Sequence, residues 1–430
     1  MFRKVILCLV VLMALALPAN SFAAALAQPE TLTLNQCIDL AFQNNQQIKL
    51  AAKNVAIAQE AVKEAEAGFM PSLSYEAGYS QADPAQYQIG NSLEKTRLAG
   101  GITGTLPLFT GGKLENALKL AKIKLESAKE DERKAKQTLT YNVKQAYYNV
   151  WLADQVLKVN QSSYDNLNHH VQQVQNFYKV GTSSKFDLLR AEVQRDTIKP
   201  KVIASQNQLA LAKLQLATTI GLPKEKQYTV AYDVSKLQLP ASVTHQLQQV
   251  LDAAYQDRPE IRQMHQSAEI SKVQTELVKA GYKPDVALSA SYSGAAKDFG
   301  FDGWKNLWSL TIGVKGDFGF TTKPKIAQAK GNEELIAIKE ADLKDQIRLD
   351  AEQSLQNLAE GIETTRANQA NIDLAKESLR LTQARFDAGL ATTMDIMDAQ
   401  LALDQALSGY YQGVVSYLVA EAKIDLVVGK

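Results

Sequence analysis

The chain has 430 residues, with 47 Lys plus Arg against 46 Asp plus Glu and a formal net charge of +1. So even a balance, with no basic stripe interleaved with aromatics, argues against a nucleic-acid surface. Two cysteines and four histidines, not clustered together, offer neither a disulfide framework nor a zinc site.

Residues 1–27 read as an export signal: Arg3 and Lys4, then an apolar Val5–Leu17, then Pro18 and small residues. Ser21-Phe22-Ala23 and Ala25-Leu26-Ala27 both fit a small-x-small cleavage site, and the apolar run is too short to favour a membrane-spanning helix. Cys8 lies inside it without a mature start suited to lipid attachment. Cys37 then sits on the apolar face of a helix near 34–67, between Leu34 and Leu40, as a small core residue. Strands are expected at about 72–82 and 98–109. In the first, Leu73, Tyr75, Ala77 and Tyr79 alternate with Ser72, Ser74, Glu76, Gly78 and Ser80. Residues 112–180 contain no proline and only Gly112 near their start, which predicts roughly 100 Å of unbroken helix. A tight turn follows, then a helix at 184–219. Pro223 and Pro240 bracket 222–244, an irregular belt without helical period. The order then repeats: a helix near 246–281, strands at about 285–294 and 306–320, a helix of about 95 Å over 325–388, a turn, and a helix at 392–427.

The second pass is a copy of the first. LNQCIDLAFQNNQQI at 34–48 returns as LQQVLDAAYQDRPEI at 247–261. AGFMPSLSYEAGYS at 67–80 returns as AGYKPDVALSASYS at 280–293, and YKVGTSSKFDLLRAEV at 178–193 as FDAGLATTMDIMDAQL at 386–401. A repeat this long is a duplicated half-molecule, which divides the mature chain into 28–221, a link at 222–244, and 245–430. Along the first long helix Val143, Ala146, Val150, Ala153, Leu157, Asn160, Tyr164, Leu167, Val171, Val174 and Tyr178 step by three and four, the seam of a coiled coil. The second seam, from Ala351 through Ser354, Leu358, Gly361 and Thr365 to Phe386, is smaller and more polar, which allows close helix approach. A shorter helix is expected to stack end to end with the leading helix of the other half.

The strand pattern fits either an ordinary half-buried sheet or a barrel with lipid outside and water inside. After residue 27 no run of about 18 apolar residues occurs, so an exported chain is soluble or spans an outer membrane as a barrel. Four strands cannot close alone, since the smallest transmembrane barrels have about eight. If the strands meet lipid, several chains must share one barrel.

Over essentially its whole mature length the chain resembles the TolC-like outer membrane efflux proteins. The resemblance rests on the duplication, on LPLFTGGK at 106–113, and on the turns Val180-Gly181…Asp187 and Ala388-Gly389…Asp395-Ile396-Met397-Asp398-Ala399. It implies a mainly α fold with a transmembrane β-barrel part: a homotrimer with a twelve-stranded barrel and a long α-helical barrel crossing the periplasm. It also implies an exit duct of a tripartite efflux pump or a type I secretion system, working with a periplasmic adaptor and an inner-membrane transporter; the residues themselves point to no cofactor or metal. At the second strand-to-helix junction the family usually repeats Pro-Leu-Phe; this chain has Gly316-Asp317-Phe318-Gly319-Phe320.

Gly181 and Gly389 end the long helices in the manner of a left-handed C-terminal residue. Ser184 with Asp187, and Thr392 with Asp395, have the spacing of capping boxes. The resemblance assigns Asp395 and Asp398 to the lining of a closed periplasmic aperture. Six such carboxylates in a trimer would favour cations. It also places gate-bonding groups at Asp187, Phe386 and Ala391. Asp187 is kept, but Phe386 lacks the aromatic hydroxyl and Ala391 the arginine expected there. The expectation is a gate with fewer polar ties, held in part by Phe386 packing. Met394 and Met397 are expected to pack the core of the tip, and His169-His170 to be solvated. No histidine pairs with a nucleophile, and Thr110-Gly111-Gly112-Lys113 lacks the rest of a phosphate loop, so an enzyme is not expected. A second reading, a periplasmic coiled-coil adaptor without its own pore, explains the helices but not two copies of a lipid-like hairpin.

Overall fold

The computed structural model describes residues 30–222, 228–234, 237–243, 245–301, 303–316 and 319–430. The export segment, Pro223, Asp317 and Phe318 lie outside the described residues. Eight helices are described: α1 (Leu34–Asn44), α2 (Gln46–Ala67), α3 (Lys113–Lys179), α4 (Lys185–Ile220), α5 (Leu247–Asp257), α6 (Pro259–Ala280), α7 (Thr322–Asp387) and α8 (Thr393–Val427). The strands are β1 (Glu30–Leu32), β2 (Ser72–Gln81), β3 (Tyr87–Ile89), β4 (Ser92–Glu94), β5 (Thr96–Phe109), β6 (Tyr228–Val230), β7 (Asp285–Ala296) and β8 (Lys305–Lys315).

Each long helix is unbroken, at 67 residues for α3 and 66 for α7. The leading helix of each half, expected as one piece, is two. Asn45 at φ −64°, ψ 131° separates α1 from α2, and Arg258 with Pro259 behind it separates α5 from α6. The break makes a joint. Asn45 Oδ1 accepts from Gln47 N at 2.7 Å, capping α2, while Asn45 Nδ2 donates to Thr219 O at 2.8 Å, at the end of α4. A Cβ on Gly221, which ends α4 at φ 73°, would lie 2.9 Å from Asn44 Cβ. So α4 runs end to end into α2, and their 36 and 22 residues together approach the length of α3.

The second joint is alike. Gly429, at φ 80° beyond α8, abuts Asp257 and Arg258 at the start of α6. Arg133 Nη2 on α3 donates to Asp257 O at 2.7 Å and to Gly429 O at 3.1 Å. Both stacks form within one half, which corrects the expectation of stacking across halves. The reason is local: each short helix climbs back toward the joint from which its own half's leading helix departs.

The main core lies level with these joints, where α1 and α5 pack around the middles of the long helices. Cys37, Tyr147, Trp151, Leu216, Ile220, Val250, Ile347, Val414 and Val427 belong to it. Burying each large side chain contributes about 1.5–3 kcal/mol. The link between halves is fastened here: β6 pairs in parallel with β1, and Tyr147 Oη donates to Ala231 O at 2.6 Å. Trp151 meets Tyr232 edge-on at 5.3 Å. Below, the polar second seam lets α7 and α8 touch backbone to backbone. A Cβ on Gly361 would lie 2.7 Å from Tyr417 N, and one on Gly413 would lie 2.9 Å from Thr365 N.

At the other end of the rods the order β2-β5-β7-β8 makes one antiparallel sheet. The strand expected at 306–320 ends at Lys315. The turn from β5 into α3 needs two left-handed residues, Gly111 at φ 65° and Gly112 at φ 94°, which accounts for the TGGK segment. Register gives the sheet two unlike faces. Tyr75, Ile102, Tyr292 and Trp308 align across all four strands, each at least half exposed. On the opposite face Ser74, Thr103, Ser291 and Ser309 align, with Ser291 Oγ 2.8 Å from Ser309 Oγ.

Candidate functional site

The two tip turns are built alike. After α3, Gly181 at φ 82° lets Thr182 N donate to Phe177 O at 2.9 Å and Gly181 N donate to Tyr178 O at 3.1 Å. After α7, Gly389 at φ 72° lets Leu390 N donate to Arg385 O at 2.7 Å and Gly389 N donate to Phe386 O at 2.9 Å. This paired pattern satisfies the last helical carbonyls. A Cβ on either glycine would meet nothing within 4 Å, so the left-handed backbone is what calls for glycine.

One turn later each chain re-enters a helix through a reciprocal cap. Ser184 Oγ accepts from Asp187 N at 3.1 Å, and Asp187 Oδ2 accepts from Ser184 N at 3.3 Å and Ser184 Oγ at 2.6 Å. Thr392 and Asp395 repeat it, with Asp395 Oδ2 accepting from Thr392 N at 2.7 Å and Thr392 Oγ1 at 2.8 Å. The Thr392 N–H, then its hydroxyl, hold the Asp395 carboxyl below the usual carboxylate range. Asp398, one turn on, is exposed and has no hydrogen bond or ion pair among the described residues.

Phe386 is half-buried on α7 and packs against Val171 and Val174 of α3 and Leu188 and Ala191 of α4. Its ring lies 4.7 Å from that of His170 and 5.9 Å from that of Phe177. Phe386 thus joins the two helical hairpins of one chain through apolar contact, and no hydrogen bond joins it to Asp187 among the described residues. Met397 is buried with Leu167, Ile198 and Val202. Met394, expected in the core, is 39% exposed because the tip ends there, and Arg190 Nη2 lies 3.0 Å from its sulfur.

His170 corrects the sequence reading. His169 is exposed as expected, but His170 is 2% exposed. Its position one residue before Val171 puts it on the edge of the seam, which the alternation of neighbours alone does not reveal. The sequence reading also missed the neutral pairs between hairpins. Asn166 Nδ2 donates to Gln400 Oε1 at 3.2 Å, and Gln383 Nε2 donates to Gln173 Oε1 at 3.2 Å. Only the tertiary register brings these amides together.

The family model for the outer membrane efflux protein matches residues 37–222 and 250–430. The pyoverdine export outer membrane protein OpmQ of Pseudomonas putida is 23% identical, over 96% of this chain and 88% of its own. The outer membrane protein TolC of Escherichia coli is also 23% identical, over 94% of this chain and 83% of its own. Among solved structures, the transmembrane channel protein CusC superposes with a TM-score of 0.78 at 17% identity, covering 92% of this chain and 91% of that one.

Proposed function

The chain belongs to the outer membrane efflux protein family, and from that premise we propose how it works as an outer membrane exit channel for an efflux or secretion system. The observation that carries the reading is the four-stranded sheet at the end of the rods. Its Tyr75–Ile102–Tyr292–Trp308 face is exposed and apolar, its opposite face bears hydroxyls, and among the described residues its outer strands β2 and β8 each keep an unpaired edge. Open edges in hydrocarbon cost several kcal/mol per unpaired group. Three copies joined β8 to β2 would close a twelve-stranded barrel with aromatics toward lipid and hydroxyls toward a water-filled pore. The rods then continue as a helical duct through the periplasm, whose far end is closed by the tips.

In this assembly Asp395 and Asp398 of three chains line the aperture, Asp187 braces the start of α4, and Phe386 holds one hairpin against the other. Gly181 and Gly389 keep the tip turns narrow. A carboxylate ring attracts cations and lets multivalent ones lodge. The duct performs no covalent chemistry; a periplasmic adaptor and an inner-membrane transporter supply the cargo and the energy. The adaptor reading, a soluble coiled coil without a pore, leaves the exposed aromatic row without a purpose.

The test is reconstitution. Chemical cross-linking in detergent should trap a trimer, and the purified protein in planar lipid bilayers should pass a cation-selective current. A soluble monomer that passes no current would overturn the proposal.

A further inference from the structure

His170 is buried without a use. It is 2% exposed, and neither Nδ1 nor Nε2 has a hydrogen-bond partner among the described residues. Its ring instead stands edge-on to Phe386, 4.7 Å away at 64°. The cluster that Phe386 packs against is apolar, with Val171 and Val174 from α3 and Leu188 and Ala191 from α4. Two ionisable groups face the imidazole: His169 on its own helix and Asp387 on α7. Lys376 and Arg380 of α7 line the groove shared with His169 and Asp387, and α8 brings the non-ionisable Ile396 and Gln400 to it. Arg380 is paired with Glu377 at 2.7 Å.

We propose that the His170–Phe386 contact is an acid-released latch of the tip: the neutral imidazole lets α7 pack against α3 and α4, and the protonated one must leave. The inference rests on the reading of the tips as a gate. The step is uptake of one proton from solvent, with no bond broken beyond the contact itself. An imidazolium beside Phe386 would have two N–H donors with no acceptor among the described residues, and the Asp387 charge to compensate. Burial pushes the His170 pKa down to about 4 from 6.5, His169 acts in the same direction, and Asp387 opposes both.

The sign follows from which state binds the proton more readily. A released, solvated His170 takes its proton near 6.5 and the latched one only near 4. The latch therefore keeps its full strength above pH 6.5 and loses it as pH falls toward 4. Between pH 6.5 and pH 4 the ratio of released to latched tips rises about 80-fold, and between pH 7 and pH 4.5 about 60-fold.

The experiment records bilayer conductance from pH 7 to pH 4.5 for the wild type, for His170→Leu and for the double variant Asp395→Asn/Asp398→Asn. Because the chain has only four histidines, ring-labelled protein also gives the His170 titration by NMR. Expected are a tens-fold rise in opening for the wild type, its retention in the aspartate variant, its loss in His170→Leu, and an NMR midpoint near 4. An unchanged acid response in His170→Leu, its loss in the aspartate variant, or a His170 midpoint near 6.5 overturns the latch. The NMR midpoint decides even if His170→Leu fails to fold. A wild-type protein that conducts at no pH sinks the channel reading itself, whereas conduction with an unchanged His170→Leu response sinks only the latch.

Discussion

The backbone contact between α7 and α8 makes a quantitative prediction. In Gly361→Ala the new methyl would sit 2.7 Å from Tyr417 N and 2.8 Å from Tyr417 Cα, where ordinary contact begins at 3.4 Å. Neither partner is a side chain that can rotate away, so the helices must part by about 0.7–1 Å, and overpacking of this kind costs about 1–3 kcal/mol. Against that, replacing Gly by Ala inside a helix gains about 1 kcal/mol. Gly331→Ala isolates the gain, since Gly331 lies in the same helix with nothing within 4 Å of its would-be Cβ. The two variants should then differ by about 1–3 kcal/mol per chain. With about 2 cal/mol/K of unfolding entropy per residue this is roughly 1–4 °C in Tm, measured by far-ultraviolet circular dichroism in detergent. Gly413→Ala should act likewise, through Thr365 N at 2.9 Å. The double variant should cost less than the sum, because parting the helices once relieves both clashes. Equal Tm values for Gly361→Ala and Gly331→Ala would refute the close approach.

Other outcomes follow from the caps, the joint and the core thiol. Ser184→Ala and Thr392→Ala should each lower stability by about 1 kcal/mol, read as Tm against the wild type. Asp187→Ala should raise single-channel conductance only modestly, because Phe386 holds the hairpins by apolar contact and has no hydrogen bond to Asp187 among the described residues; a many-fold rise would refute this. Asp395→Ala/Asp398→Ala should weaken cation selectivity and block by multivalent cations, measured from reversal potentials in a salt gradient. Asn45→Ala removes one bond to α2 and one to α4 and should cost about 1–3 kcal/mol. Cys37 is fully buried, and burial pushes its thiol up to about 11. It should resist a maleimide at pH 8 in the folded protein and react once the protein is unfolded.

Much of the fold was legible because the signals were long. An unbroken run without Pro gives a helix of 67 residues, and strict alternation gives β2 and β7 within two residues of their ends. The glycine turns and the Ser184–Asp187 and Thr392–Asp395 boxes were legible because they are local chemistry, complete within six or seven residues. The joints were not. Asn45 looks like any polar residue on a helix until Thr219 stands opposite it, and Arg133 declares its role only when Asp257 and Gly429 meet before it. At the tip the resemblance singled out Asp187, Asp395, Asp398 and Phe386, whose part in a gate is a proposal, but not His170, because burial there depends on which side of the seam faces α7. Pro200, inside α4, also broke no helix. It removes one backbone donor, a loss that packing along the rest of the helix outweighs.

The unlike construction of the rods bears on how the chain can change in length. α3 and α7 are each a single uninterrupted helix from sheet to tip. One residue inserted in either advances everything beyond it by about 1.5 Å and rotates it by about 100°. The tip would then face the wrong way relative to the sheet unless a second change restored the phase. The α4–α2 and α8–α6 rods carry a gap at Asn45 and Gly429 that is bridged by side chains and end contacts rather than by continuous backbone. Insertions should therefore accumulate at the joints and be excluded from the two long helices, which act as the fixed measure between sheet and tip.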